Sequence, residues 1–492
     1  MIACLALLPF VCLFEFTHPF AMDADIWEYA ATVRELSVRP LHPQNPLLAL
    51  PGNTSPRFTP YTMVWGLFMR ATGLPLFPVM GVAALGNFLL LVTGLWRFGS
   101  RQFRSPALPL YALAAMLLVW GKGYAQATAY HLEFLLVSLS YLGVFAFSLC
   151  LHALACLRAW LDGEGRGALA GYAALAVIAF VCHPITALFG FIAAAALLAD
   201  ARAWKRGALV QAVPLLALVG AFAWPYFDYW AVLTKGSSEA WFQMPLFEGR
   251  ARALGPLLLA VPLVLVQGFA RQRFFVFYGA LICFGAYGIS GVLDIRIGGR
   301  FLIFTAFFLH LAIALRLEEA AVLCGGTWRT PGRRRRIAAA LILVLFIPAL
   351  PWRVLGLRQQ IDRVARPPAG ALWTLDRSLH AGDVVMTDPA DGYALPAITG
   401  ARVVAQAKGN PLIQAEIERR RADAWRFFHE PMTLDARWVM LRHYRTTHVL
   451  IDRRQVPVPD PSLLETLPAI AEEVTARASV TLYRLKALGG PL

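Results

Sequence analysis

The sequence predicts a mainly α-helical, polytopic membrane protein that ends in a small α/β domain. Three observations predict it. Of 492 residues, 58% are hydrophobic and only 15% are charged, where soluble domains run nearer to about half and a quarter. Apolar runs of about 15 to 24 residues recur along the chain, and roughly 20 helical residues cross a hydrocarbon core. After about residue 356 those runs stop, charge rises and short strand-like runs take over.

The runs give about eleven spans, at residues 1–20, 75–97, 106–121, 131–157, 168–182, 185–200, 207–226, 254–270, 274–292, 301–316 and 337–352. The first has no basic stretch ahead of it and no small-x-small site before Asp23, so it reads as a retained span rather than a signal peptide. The pair flanking His183-Pro184 is short, which suits two half-helices meeting at a break. The formal net charge is +15, and its distribution argues against a nucleic-acid partner. Arg97, Arg101 and Arg104 form one cluster, Arg158 and Arg166 another, and Arg202, Lys205 and Arg206 a third. Arg271 and Arg273, Arg316, and the run Arg333 to Arg336 follow. Alternate loops carry these clusters, as cytoplasmic loops do, which puts the N-terminus inside and the C-terminus outside. The seven cysteines contain no CxxC pair and none lies beyond Cys324, so no disulfide framework is expected outside the membrane.

Residues 1–355 therefore read as the membrane domain and 356–492 as an external α/β domain. A long external loop, about residues 21–74, separates the first two spans. Within it IWEYAATVREL has helical spacing, and Pro40, Pro43, Pro46, Pro51 and Pro56 then impose extended pieces and turns. PRFTPYTMVWGLFMRATG is too short to span but apolar enough to lie in the interface. In the C-terminal part DVVMTD, ARVVA, THVLID and VTLYRL read as strands, and PLIQAEIERRRADAWRFF and WVMLRHY as helices. No glycine-rich phosphate loop opens a helix there.

Asp23 and Asp25 stand directly after the first apolar run, at a depth where a carboxylate is costly to keep dry. One could take a proton from an acceptor while the other orients it or holds a divalent cation. The same residues would equally serve as caps of the helix that follows. His131 and Glu133 fall in an external loop between spans, and Glu133 with Asp23 or Asp25 and His131 would make an acid–base or metal cluster. An interfacial helix start with polar residues facing water explains them as well. His183, beside Pro184, suits a helix break, with a ligand role as its alternative, and His131 and His183 join the candidates for binding the substrate or its phosphate. Arg296 and Arg300, with Asp294 and two glycines in LDIRIGGRF, suit a phosphate, because guanidinium forks match its oxygens. Arg57 in PRFTPY is a further phosphate candidate, with headgroup snorkelling as its alternative.

The layout resembles the GT-C superfamily of polytopic membrane glycosyltransferases, related to the mannosyltransferase and aminoarabinose-transferase-like families. Three features carry the resemblance: Met22-Asp23-Ala24-Asp25 in a long first external loop, the proline-broken HPQNP and PRFTPY, and the C-terminal α/β region with GDVVMTDPADGYALPAITGARVVAQ. It departs from aminoarabinose transferases in having no lysine in the proline motif. The resemblance implies an inverting transfer of a sugar from a polyprenyl-phosphate donor to a lipid, glycan or protein acceptor, at the outer face of a bacterial inner membrane. It implies Asp23 or Asp25 as the catalytic carboxylate and external arginines on the donor phosphate, with a divalent metal as an option. Two other readings remain: a transporter or flippase of a lipid-linked glycan, and a non-catalytic envelope-assembly protein. No internal repeat is visible and the acids gather at span ends, which weighs against transport.

Overall fold

A computed structural model describes residues 25–52, 55–121, 130–132, 137–235, 247–270, 274–325, 344, 346–365, 370–454, 457–477 and 479–486. The predicted first span, Asp23, Glu133 and residues 337–343 of the last predicted span lie outside these residues. The chain divides into two compact units, one containing Gly81–Trp224 and Met244–Asp362, the other Phe20–Met80, Pro225–Gln243 and Arg363–Leu492.

The first unit is helical. Among the described residues, six helices are long and apolar enough to cross a membrane: Leu76–Phe103, Leu142–Leu161, Trp204–Phe222, Arg250–Phe269, Phe274–Val292 and Arg296–Val322. Leu108–Leu118, Arg166–Cys182 and Pro184–Asp200 are shorter apolar helices. The protein is an integral membrane protein of polytopic helical build. The run predicted as a span from residue 131 is interrupted: Leu132, Val137 and Ser138 are helical, Leu139 to Tyr141 turn, and the Leu142–Leu161 helix follows. The Asn87 amide donates to the Leu139 carbonyl of that turn at 2.6 Å, meeting a need that a continuous helix would not have. The break at His183 is present. His183 closes one helix and opens the next with extended φ and ψ of −150° and 85°, and Pro184 takes the first helical position, where its missing N–H costs nothing. Aromatic rings fill the core of this unit. Phe189 stacks on Phe147 at 5.1 Å and on Phe304 at 5.0 Å between ring centroids.

The second unit is mixed. Among the described residues five strands, β1 (Val384–Met386), β2 (Arg402–Val403), β3 (His448–Asp452), β4 (Ala471–Arg477) and β5 (Val480–Leu485), form one sheet in the order β2-β1-β3-β5-β4. The β1–β2 and β1–β3 pairs are parallel and the last two pairs antiparallel. Four strands follow the predicted runs. The fifth, β4, is polar on most positions and lies at the sheet edge, so it has no apolar alternation to announce it. The first-loop segment extends the opposite edge. Leu48 bridges Val403 in parallel, the Ala49 N–H donates to the Val403 carbonyl at 3.1 Å, and the Val403 N–H donates to the Leu47 carbonyl at 2.9 Å. Arg34 holds the Ile26–Val38 helix to the Ala397 and Ile398 carbonyls at 3.0 and 3.1 Å.

The Ile26–Val38 and Pro60–Thr72 helices meet at Gly66. A Cβ at Gly66 would stand 2.5 Å from the Leu36 Cβ and 3.2 Å from the Val33 carbonyl oxygen. Backbone cannot yield as a flexible side chain can. Gly66→Ala is therefore expected to cost about 1–3 kcal/mol, as overpacking does. The check is a lowered apparent unfolding temperature of the purified protein in detergent; an unchanged value would mean that the two helices can part freely.

Candidate functional site

In the second unit, Asp25 is the N-cap residue of the Ile26–Val38 helix, but its side chain makes no capping hydrogen bond. Its carboxylate turns to two cations instead. Arg57 Nη2 donates to Asp25 Oδ2 at 3.2 Å, and Lys408 Nζ is bonded to Asp25 Oδ1. Glu28 follows three residues later on the same helical face. Its side chain is buried, and Arg57 Nε donates to its Oε2 at 2.9 Å. The Tyr393 hydroxyl donates to the same oxygen at 3.2 Å, and Ser55 Oγ donates to Oε1 at 3.4 Å. Arg57 completes its fork with Nη1 on the Tyr29 hydroxyl at 3.1 Å, its guanidinium carbon 4.9 Å from that ring centroid.

The proline-broken motif sets Arg57 in place. Thr59 caps the Pro60–Thr72 helix in a reciprocal box with Thr62, and Pro60 occupies the first turn. The Thr62 hydroxyl also donates to the Arg57 carbonyl at 2.6 Å, which fixes the backbone from which the guanidinium projects. Lys408 arrives on the stretch after β2, where Gln406 Nε2 donates to the Lys408 carbonyl at 2.8 Å and Arg421 Nε to the Gln406 carbonyl at 2.8 Å.

Electrostatics separates the two cations. Burial works against charge on Arg57, but Glu28, Tyr29 and Asp25 outweigh it and raise the guanidinium's pKa further. Burial lowers the pKa of Lys408; Asp25 opposes this, Arg57 reinforces it and Glu28 opposes it. The Arg57 side chain is 10% exposed and that of Lys408 is 29% exposed. Arg57 is thus a buried strut, whereas the Lys408 side chain is partly exposed along its length, with its ammonium held on Asp25. Both oxygens of Asp25 already carry a cationic donor. Among the described residues no group of three or more His, Cys, Asp or Glu side chains could hold a metal ion; the metal set considered from sequence includes Asp23 and Glu133, which lie outside the described residues.

The other residues singled out by sequence fall in the first unit. His131 is buried with its ring 5.9 Å from that of Trp120. His183 is buried, its Nδ1 paired with the Thr186 hydroxyl at 2.8 Å. Arg296 and Arg300 bound a single 3-10 turn, Arg296 exposed and Arg300 half-buried. Gly298 between them serves the chain's own packing, since a Cβ there would stand 1.9 Å from the Ser290 hydroxyl. Asp25 and Arg57 are therefore brought together, 32 residues apart in sequence. Glu28, Lys408 and Tyr393 escaped sequence reasoning. The i, i+3 spacing of Asp25 and Glu28 on one predicted helix was a usable signal for the first; nothing local announced the other two.

The whole chain superimposes on that of ArnT from Cupriavidus metallidurans in its apo state, with a TM-score of 0.58 and 13% identity over 100% of this chain and 99% of that one. An Archaeoglobus fulgidus oligosaccharyltransferase matches over 91% of this chain and 69% of its own, with a TM-score of 0.56 and 11% identity. The mycobacterial arabinofuranosyltransferase AftD matches over 99% of this chain and 40% of its own, with a TM-score of 0.57 and 15% identity. The chain has the GT-C fold. No family model and no curated protein matches the sequence, so the likeness to GT-C proteins is one of three-dimensional fold.

Proposed function

We propose that this GT-C protein transfers a sugar from a polyprenyl-phosphate donor to a lipid, glycan or protein acceptor at the outer face of the membrane, with inversion at the anomeric carbon. The observation that carries the reading is the Asp25 carboxylate, relieved of helix capping and held between Arg57 and Lys408. Asp25 takes the proton of the acceptor hydroxyl or amine as that atom attacks the anomeric carbon. The bond from the anomeric carbon to the phosphate oxygen breaks, and polyprenyl phosphate leaves with the electron pair. Lys408 lies beside Asp25 and pairs with the phosphate oxygens as they gain charge. Arg57 keeps Asp25 and Glu28 in register without needing to touch the donor. No step is routed through a metal.

The test is transfer by the purified protein in lipid, offered radiolabelled polyprenyl-phosphate sugars with membrane extract as acceptor. Transfer from one of these donors supports the reading, and transfer only from a nucleotide sugar overturns it. In the same assay Lys408→Met is expected to raise the donor KM about tenfold or more, the size of one lost hydrogen bond to a charged group. Lys408→Arg should recover part of the loss. A fall in kcat at unchanged KM would mean that Lys408 acts on Asp25 alone.

A further inference from the structure

The C-terminal sheet carries a second polar constellation that shares no residue with the Asp25 cluster and does not depend on the activity proposed for it. The parallel strands β1 and β3 both begin at one end of the sheet. Antiparallel β5 finishes there, with Arg484 opposite His448 in register. A cavity of about 360 Å³ opens at this end, within the usual range for small-molecule sites. Trp438 and Arg442 of the Leu434–His443 helix, the turn residues Thr446 and Thr447, and Asp383, Arg484 and Lys486 contribute to its lining.

We propose that this cavity binds one anionic sugar unit, a hexuronate or a sugar phosphate. The hydroxyl of Thr446 supplies the first argument. The residue is 9% exposed and lines the cavity, yet its buried oxygen has no hydrogen-bond partner among the described residues. Leaving such a group unpaired costs about 1–3 kcal/mol, a cost that a ligand hydroxyl or carboxylate would remove. The preceding residue, Arg445, holds a left-handed φ of 52° without being glycine, a conformation that costs about 1–2 kcal/mol. Two unfavourable choices adjoin in one short turn at the mouth of one cavity.

Charge supplies the second argument. Arg442, Arg484 and Lys486 face one carboxylate, Asp383. Burial lowers the pKa of His448, so its imidazole adds no positive charge near neutrality; Asp383 opposes that shift. Arg484 Nε meets His448 Nε2 at 3.5 Å, and its cross-strand neighbour on β4 is Glu472. Lys486 donates to the Pro468 carbonyl at 2.8 Å. The guanidinium of Arg442 lies 4.9 Å from the Trp438 ring centroid. Guanidinium groups match a carboxylate or phosphate, Asp383 can accept from ring hydroxyls, and Trp438 offers an apolar wall to the ring's C–H face. Asp383 already accepts from the His380 N–H at 2.7 Å and from the Thr447 hydroxyl at 3.4 Å, and its remaining lone pairs would accept from a ring hydroxyl that a bare anion lacks.

The experiment is calorimetric titration of the full protein in detergent with glucuronate, glucose 6-phosphate, glucose and inorganic phosphate. One of the two anionic sugars is expected to saturate the protein at about millimolar concentration or below, with glucose and phosphate at least about tenfold weaker. Thr446→Val should weaken that binding by about tenfold, the loss of one hydrogen bond, while its apparent unfolding temperature stays level or rises. Arg484→Gln should abolish binding. The proposal is overturned if neither anionic sugar saturates the protein at about ten millimolar, or if glucose binds equally well. It is overturned equally if inorganic phosphate matches the sugars, or if Thr446→Val leaves affinity unchanged.

Discussion

Asp25→Asn is expected to reduce sugar transfer by about a hundred- to ten-thousand-fold, the contribution of a positioned general base. Asparagine keeps the size of the side chain and one acceptor oxygen, so Arg57 or Lys408 still finds a partner. What it loses is the capacity to take a proton. The loss should therefore fall on kcat, with the donor KM changed far less and the protein still monodisperse in detergent. The same variant separates the rival readings. A flippase would continue to move its lipid-linked glycan, and an assembly protein would continue to bind its partners. Full transfer by a folded Asp25→Asn protein would sink the assignment and turn attention to Asp23. No transfer by either protein on any donor would instead count against a transferase.

Arg57→Met is expected to be among the most destabilising single changes in the second unit. Glu28 has a side chain 9% exposed and takes its ionic partner from Arg57 Nε. Removing one member of a buried ion pair strands the other, at a cost of about 3–5 kcal/mol. Tyr29 and Asp25 lose a donor at the same moment. Arg57→Lys should rescue little, because a single ammonium cannot reproduce a fork that reaches three acceptors. Adding Glu28→Gln to Arg57→Met should recover part of the loss, since the amide no longer buries an unpaired charge. Apparent unfolding temperatures of the two single variants and the double variant decide the matter. Strict additivity would mean that Arg57 and Glu28 are not energetically coupled, and the strut role would fall with it.

The helical membrane build, the strands β1, β2, β3 and β5, the break at His183-Pro184 and the standing of Asp25 and Arg57 as charged residues worth watching were all legible in the sequence. They rest on local physics: apolar run length against bilayer thickness, alternation along a strand, and the ring of proline at the first turn of a helix. Where the local signal was weak the reading failed. The edge strand β4 is polar on most positions, and the turn that interrupts the predicted span ahead of the Leu142–Leu161 helix gives its Leu139 carbonyl to the amide of Asn87, on another helix.

For Asp25 the sequence left capping and chemistry level, because both need an acid at the start of a helix. Only the tertiary structure shows that the side chain makes no capping hydrogen bond, and it places Arg57 and Lys408, 32 and 383 residues away along the chain, on the two oxygens of one carboxylate. Such pairing leaves no periodic trace in sequence. It follows from strand order and from the parallel bridge of Leu48 to Val403, which ties the first loop to the stretch bearing Lys408. Hydrophobic patterning is short-range information and is written along the chain. Which charges meet depends on long-range backbone pairing, and that is settled only when the chain closes on itself.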